Sequence, residues 1–333
     1  MNFRIIFLLL FLFATTSILV AQDTTAIIAP KKITFLEPYP TYNKKRFATA
    51  LGGQLGLCTS ALIGLNYAWY EGYPRSRFHF FNDAAEWQQI DKMGHMLGGY
   101  FQSKWSFNVY KWSGIKHNRA AWAGALTGWG FQTTIEILDG FSSKWGASAS
   151  DALFNSIGSG WFLWQEMLWH EQRIQLKINY YQVDHPKGQL TQRANELYGT
   201  QFYERFLKDY NSMTFWLSAN IASFNKKQKH ATWLNVAVGY GAGGMYGGFD
   251  NTWTDPNGNL VNRNDVQRYR KFLISIDADF TKIPVRTRTE RVILGLLNTI
   301  KLPAPALEFN TKGQIIFHPL YFLNWEMPLY FKK

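Results

Sequence analysis

Acidic, imidazole and amide side chains interrupt apolar segments of this sequence at helical spacing. Asp91 and His95 are four residues apart, so on a helix they share one face, about 6 Å apart along the axis. Such groups are costly to bury unless they are paired, protonated or bound to a metal. The spacing therefore indicates a polar site. Its candidate members are Asp91, Lys92, His95, Glu136, Asp139, Asp151 and Asn155.

Three kinds of site fit this set of side chains. A carboxylate that fixes the tautomer of an imidazole can serve acid–base hydrolysis, and several carboxylates together can bind a divalent cation. A hydrogen-bonded network that only fixes the register of packed helices is the third interpretation. No second histidine stands at ligand spacing, because His117, His170 and His185 fall in predicted loops or at helix ends. The sequence identifies no cofactor, and all three interpretations stay open.

Three predicted helices would position these residues. The pattern predicts a helix from near Asp83 to about Tyr110, a second over Ala120 to Leu138, and a third from Asp151 to about Trp169. Ser150 is a good N-cap for the third helix. If the three helices pack together, up to four carboxylates, one imidazole and one amide converge.

The segment from Phe47 to Tyr70 contains no charged residue over its 24 positions. It is long enough to cross a bilayer, and its glycines permit close helix packing. A buried core helix of a soluble bundle is the alternative.

From about Ser212 the apolar period changes from helical to two. This alternation predicts antiparallel strands near ten residues long, the size of outer-membrane barrel strands. They are too few to close a barrel alone, so a half-buried sheet and an oligomeric barrel are alternatives. The predicted strands are Thr214 to Phe224, Trp233 to Ala242, Lys271 to Thr281, Ala306 to Asn310 and Gln314 to Phe317, with a short helix within 282–302.

The fold class expected is α+β, with a helical, membrane-associated N-terminal half and an antiparallel β-rich C-terminal part. The expected boundaries are a signal peptide over 1–21, an extended lead-in over 22–46, a helical domain over 47–210 and the β-rich part over 211–333. Cys58 is the only cysteine, which excludes an internal disulfide and a thiolate metal cluster.

The charge and the aromatic content of the chain limit the classes of partner that we expect. Thirty-five basic and twenty-three acidic residues give a net charge of +12, but the basic residues are dispersed and form no nucleic-acid motif. Phe, Trp and Tyr make up 17% of the chain, and aromatic side chains favour the water–lipid interface. We expect membrane lipids as partners, no nucleic acid, and a homo-oligomer or another envelope protein as further candidates.

One motif series resembles a known family over roughly Trp87 to Trp164. It reads Asp91-Lys-x-x-His95-x-x-x-Gly99, Glu136-x-x-Asp139-Gly-Phe-Ser, Trp145-Gly-Ala-Ser148 and Asp151-x-x-x-Asn155-x-x-Gly158. The order and spacing resemble the YfiM-like family of predicted periplasmic lipoproteins, whose reaction is not established. The chain departs from that family in lacking a lipidation cysteine after the signal segment and in its added β-rich part.

A weaker likeness is to the VanZ-like membrane proteins, which also place an Asp-Lys-x-x-His motif near one helix start. That resemblance implies a helical, membrane-associated fold linked, in its namesake, to glycopeptide antibiotic resistance.

The function expected is that of an exported cell-envelope protein, located in the outer membrane or facing the periplasm, with a structural or binding role. The alternative is a lipid- or cell-wall-modifying enzyme. In that enzyme His95, oriented by Asp91, would act as base, while Glu136, Asp139 and Asp151 would bind a cation or share protons.

Overall fold

A computed structural model describes residues 34–67, 73–225, 227, 230–321 and 326–329. The predicted signal peptide and residues 22–33 of the predicted lead-in lie outside these residues and stay predictions. The described residues from Leu36 onward form one compact unit. Mixed α+β architecture is confirmed for it, with helices in the N-terminal half and an antiparallel sheet in the C-terminal part.

Four long helices make up the N-terminal half. They are α1 (Lys44–Leu65), α2 (Ile90–Trp112), α3 (His117–Gly140) and α4 (Ala149–Trp169). Helix α2 lies between α3 and α4, and small residues bring the three backbones close together. A Cβ atom on Gly99 would lie 2.6 Å from the carbonyl oxygen of Asn155, and one on Gly128 would lie 2.9 Å from that of Gly99. This close approach brings the polar side chains of the three helices together.

Helix α2 begins later than the sequence pattern predicts. Trp87, Gln88 and Gln89 have left-handed φ angles of 48°, 53° and 62°, so the chain bends just before Ile90. The predicted start near Asp83 is wrong for this reason. The predicted N-cap of α4 is wrong by two residues, because Ser148 accepts the hydrogen bond from the backbone N–H of Asp151 at 3.1 Å.

The largest sheet has seven antiparallel strands among the described residues, in the order β1-β2-β3-β6-β7-β8-β9. A separate hairpin pairs β4 with β5. The strands are β1 (Ile174–Tyr180), β2 (Met213–Asn220), β3 (Leu234–Gly243), β4 (Thr252–Thr254), β5 (Leu260–Asn262), β6 (Tyr269–Ala278), β7 (Ala306–Asn310), β8 (Ile315–His318) and β9 (Met327–Pro328).

Shorter helices connect these strands. They are α5 (Gln189–Tyr198), α6 (Phe202–Lys208), α7 (Ile221–Phe224) and α8 (Arg288–Leu297). Helix α7 occupies the end of the predicted strand Thr214 to Phe224, and α8 is the short helix predicted within 282–302. Strand β1 was not predicted.

The hydrophobic core lies between α2–α4 and the β1–β2 side of the large sheet. Leu176 of β1 and Phe215 of β2 are fully buried there with Tyr100 of α2 and Phe162 of α4. Helix α2 therefore has the sheet on one side and two helices on the other. Its first turn is anchored in this core by Ile90, which is fully buried.

Helix α1 has a different environment. It is long and apolar enough to cross a membrane by length and composition, and only 6% of its most apolar 18-residue window is buried. It is therefore not the buried core helix that was the alternative. Membrane association does not follow from length and composition alone.

Candidate polar site at the ends of three helices

The polar site forms where the first turns of α2 and α4 meet the last turns of α3. Asp91, Lys92 and His95 come from α2, Glu136 from α3, and Asp151 from α4. Asn155 lies one turn beyond Asp151 and is fully buried. Six of the seven candidate residues thus come together.

Lys92 lies at the centre of the carboxylates and is fully buried. Its Nζ atom is 2.5 Å from Oδ1 of Asp151, 2.7 Å from Oδ2 of Asp83 and 3.1 Å from Oδ2 of Asp91. Burial would lower the pKa of Lys92, but the charges of Asp91 and Asp151 outweigh it and raise that pKa. Lys92 is therefore a permanent positive charge.

His95 presents each ring nitrogen to oxygen atoms. Nδ1 lies 3.1 Å from Oδ1 of Asn155 and 3.4 Å from Oε1 of Glu136. Nε2 lies 3.5 Å from Oδ2 of Asp151 and 3.8 Å from Oδ2 of Asp91. With the Asn155 amide in this orientation, all four oxygens are acceptors unless a carboxyl is protonated. A neutral imidazole carries only one N–H. The oxygens at one of the two ring nitrogens therefore need another proton or a cation.

Residues beyond the predicted set complete the site. Asp83 accepts hydrogen bonds from the hydroxyls of Ser148 and Ser150 at 2.5 and 2.8 Å. The hydroxyl of Tyr210 donates to Oδ1 of Asp91 at 2.7 Å. These contacts orient Asp83 and Asp91 toward Lys92.

The pKa values of the carboxyls are driven apart. Burial raises the pKa of Glu136 to about 7, and it also raises that of Asp151 despite the opposing charge of His95. For Asp83, hydrogen bonds from Asp151, Lys92 and the two serines outweigh burial and lower the pKa to about 2. The charges of Asp91, Asp151 and Glu136 outweigh burial at His95 and raise its pKa.

Negative groups outnumber positive ones in this space. Four carboxyls surround one permanent cation and one imidazole. They are Asp83, Asp91, Glu136 and Asp151 around Lys92 and His95. Uncompensated buried charge is costly, so the carboxyls retain protons or bind a positive ion. The raised pKa values of Glu136 and Asp151 correspond to carboxyls that retain their protons.

A bound positive ion would have a defined position. Ligand atoms of Asp91, His95 and Asp151 all lie within 4.8 Å of one another, a group that could hold a metal ion. The side chain of His95 is 18% exposed, so this side of the site reaches solvent. On the opposite side of the ring, Oε1 of Glu136 is buried and has no hydrogen-bond partner among the described residues. The arrangement can bind a cation or exchange protons.

Asp139 is the predicted residue that lies apart from the other six. It lies half-buried near the end of α3, and its charge helps to raise the pKa of Glu136. Asp83 and Tyr210 were missed. A hydrogen bond between residues 119 positions apart, such as that of Tyr210 to Asp91, leaves no local spacing signal.

Comparison with known families gives a match to the segment that contains the polar site. The family described as predicted periplasmic lipoprotein (DUF2279) matches residues 79–165, which include all seven predicted site residues but neither Tyr210 nor the sheet. An exported protein of the cell envelope that faces the periplasm is consistent with this match. Searches of curated proteins and of solved structures found no match.

Proposed function

We propose that this protein is a binding component of the cell envelope that holds a divalent cation between Asp91, His95 and Asp151. The observation that carries the proposal is the pair of carboxylate oxygens facing Nε2 of His95, at 3.5 and 3.8 Å. If Nδ1 carries the proton toward Asn155 and Glu136, the Nε2 lone pair and both oxygens point into one space. A cation there satisfies all three acceptors.

The donor set favours a transition metal over calcium or magnesium. Imidazole nitrogen suits zinc and its neighbours, whereas calcium and magnesium prefer oxygen ligands alone. Asp91 and Asp151 would supply oxygens and His95 a nitrogen. Glu136 and Asn155 would hold Nδ1 and so fix the tautomer, as groups behind metal-bound histidines commonly do. Zinc is therefore the ion to test first.

Lys92 does not itself occupy the position that we propose for the ion. It contacts Oδ1 of Asp151, whereas Oδ2 of the same carboxylate faces His95. Asp91 gives Oδ1 to Tyr210 and leaves Oδ2 toward His95 and Lys92. The lysine therefore offsets part of the negative charge and leaves Oδ2 of Asp151 to the proposed ion, which would share Oδ2 of Asp91 with the lysine.

Calorimetric titration of the purified chain with Zn²⁺ tests the proposal. His95→Gln should weaken binding by about 10²-fold or more, because it removes the nitrogen ligand. His117→Gln is the matched control, since His117 lies outside this site, 3.0 Å from Glu166 and beside the ring of His170, and its substitution should leave binding unchanged. Equal binding by wild type and His95→Gln would contradict the proposal. So would a wild-type protein that binds no zinc and loses thermal stability on substitution of His95, which is the outcome of a purely structural network.

A second candidate function is a lipid- or cell-wall-modifying enzyme, which the pKa of about 7 at Glu136 favours. A carboxyl that titrates near neutrality suits general acid–base catalysis. Phospholipid vesicles and peptidoglycan sacculi are the probes, with released products identified by mass spectrometry. If the protein is such an enzyme, the wild type releases products, and His95→Gln and Glu136→Gln abolish this release. If the wild type releases no product, activity on both probes is excluded.

The finer placement in the envelope is part of the proposal. A YfiM-like, periplasm-facing protein associated with the outer membrane would recover in the outer-membrane fraction after a high-salt wash. Recovery in the inner membrane would instead make α1 a span and favour the VanZ-like likeness. Release by salt would contradict both and indicate a basic peripheral protein.

A further inference from the structure

Over β3, β6 and β7 the large sheet is reversed relative to a sheet that folds in water. In an antiparallel sheet with one solvated face, apolar residues normally point to the core and polar residues to solvent. Here the face that carries the polar residues is buried, together with Trp216, Ala237, Leu273 and Ala306. Its buried polar residues include Gln175, Lys177, Asn179, Ser218, Asn220, Asn235, Ser275, Asp277, Glu308 and His318.

Hydrogen bonds hold this inner face together. Lys177 pairs with Oδ2 of Asp277 at 2.9 Å, and the same oxygen accepts from the hydroxyl of Ser218 at 2.6 Å. Asn235 in turn donates to Ser218 at 2.8 Å. The segment 298–304 crosses this face, and the backbone oxygen of its Lys301 accepts from Asn179 at 3.1 Å. Since a one-residue slip would break the whole network, the register is fixed and the polar face stays inside.

The opposite face is apolar throughout, and only part of it is covered by helices. Over β3, β6 and β7 six of its large side chains are 38% to 52% exposed. We call this surface the apolar sheet face: Val236, Val238, Phe272, Ile274, Ile276 and Phe309. Phe272, Ile274 and Phe309, with Met93 of α2, line a groove along it. Contiguous exposed apolar surface of this kind marks an interaction site.

A second apolar surface lies beside the same sheet. Helix α8 has no buried residue, and Val292, Ile293 and Leu296 on it are 44% to 54% exposed. The chain that leaves α8 bonds to β1, where the backbone N–H of Ile178 donates to Thr299 at 3.1 Å. Arg288 and Arg291 add positive charge to α8. A basic amphipathic helix with an exposed apolar side is typical of a lipid interface.

We propose that the apolar sheet face docks into the hydrocarbon of an anionic lipid bilayer, with α8 at the headgroup level. A polar interior and an apolar exterior are what lipid-facing sheets require. The basic residues of α8 complement anionic headgroups. This proposal is independent of the cation site, and its occupant is lipid rather than a second copy of the chain.

Spin labelling tests the proposal at single positions. In a Cys58→Ser background, which removes the only cysteine, a nitroxide is attached to Ile274→Cys on the apolar sheet face. Leu260→Cys in the separate β4–β5 hairpin is the matched exposed control, since Leu260 is 75% exposed. The full chain is mixed with vesicles of phosphatidylethanolamine and phosphatidylglycerol. Relaxation by oxygen, which concentrates in lipid, is compared with relaxation by a water-soluble nickel chelate.

With vesicles, the label at position 274 should become several-fold more accessible to oxygen than to nickel, whereas the label at 260 should stay accessible to nickel. Attachment through α1 alone would leave both labels accessible to nickel and would overturn the proposal. Dipolar broadening at 274 without vesicles, with neither reagent gaining access, would show a second copy on this face and would also overturn it. As a further check, Val238→Thr, Ile274→Thr and Ile276→Thr are combined in the full chain. These substitutions keep the β-branched shape and should weaken vesicle binding by about tenfold or more.

Discussion

Nε2 of His95 lies 3.5 Å from Oδ2 of Asp151 across the contact between α2 and α4. The other oxygen of that carboxylate is 2.5 Å from Nζ of Lys92. One oxygen of Asp151 is thus held by a fixed charge, whereas the other faces a group that can gain or lose a proton. Under the proposed function, this division would leave one oxygen of Asp151 able to exchange a proton for a cation.

Stability should fall as the pH rises through the range in which Glu136 titrates. Its pKa is raised from the ordinary 4.5 to about 7 in the folded protein, so the folded state binds the proton more tightly than the unfolded chain. The stabilisation is complete below about pH 4.5 and is lost toward about pH 7. Glu136→Gln mimics the protonated side chain and should remove on the order of 2 kcal/mol of this pH dependence. Urea unfolding with a chelator present measures it, and parallel curves for the two proteins would contradict the assignment.

Removing the central cation should be strongly destabilising. Lys92→Met leaves Asp83, Asp91 and Asp151 buried without their counter-ion, and breaking a buried ion pair in this way costs about 3 to 5 kcal/mol. Lys116→Met replaces an exposed lysine before α3 and should change the free energy of unfolding by less than about 0.5 kcal/mol. Urea titration compares the two variants. Equal, small effects would show that Lys92 is not the charge that the carboxyls require.

The close approach of α2 and α4 can be tested with two glycines on one helix. A Cβ atom on Gly158 would overlap the carbonyl oxygen of Met96, whereas one on Gly160 would meet nothing within 4 Å. Gly158→Ala should cost about 3 kcal/mol or more. Gly160→Ala should be neutral or stabilise by up to about 1 kcal/mol, because alanine favours the helix.

Zinc titration of the same pair links this packing to the site, because Asn155 lies one turn before Gly158. Gly158→Ala should weaken zinc binding, and Gly160→Ala should not. Equal stability and equal zinc affinity in the two variants would contradict the packing that the structure shows.

Tyr210 connects the segment before the sheet to the site. Tyr210→Phe removes the hydroxyl that donates to Asp91 at 2.7 Å and should cost about 1 to 3 kcal/mol, since it leaves a buried carboxylate oxygen less well paired. Tyr203→Phe alters a tyrosine that is 66% exposed and serves as the control. Thermal unfolding of both variants measures the difference. A Tyr210→Phe protein as stable as the control would show that this hydrogen bond contributes nothing.

Local spacing predicted the residues that α2, α3 and α4 contribute to the site. The four-residue interval between Asp91 and His95, and that between Asp151 and Asn155, place each pair on one helix face, and the structure has them there. Asp83 was not predicted as a member, because the turn that aims it at Lys92 depends on left-handed backbone at three residues without glycine. Contacts made through such a turn leave no periodic signal.

Strand β1 escaped prediction for a related reason. Gln175, Lys177 and Asn179 alternate with Leu176 and Ile178, but this polar alternation follows a long helix and resembles its solvated, basic end. This segment forms a strand because it pairs with β2 and because its side chains bond to distant residues, such as Lys177 to Asp277, a hundred residues away. The sequence could predict strands with apolar alternation but not that their polar face would be buried.

X-ray absorption at the zinc edge of the zinc-loaded chain is the most direct test of the cation site. The account predicts a shell of nitrogen and oxygen ligands with the scattering pattern of one imidazole, which His95→Gln abolishes and His117→Gln preserves. A shell without imidazole, or a spectrum that His95→Gln leaves unchanged, would contradict binding between Asp91, His95 and Asp151.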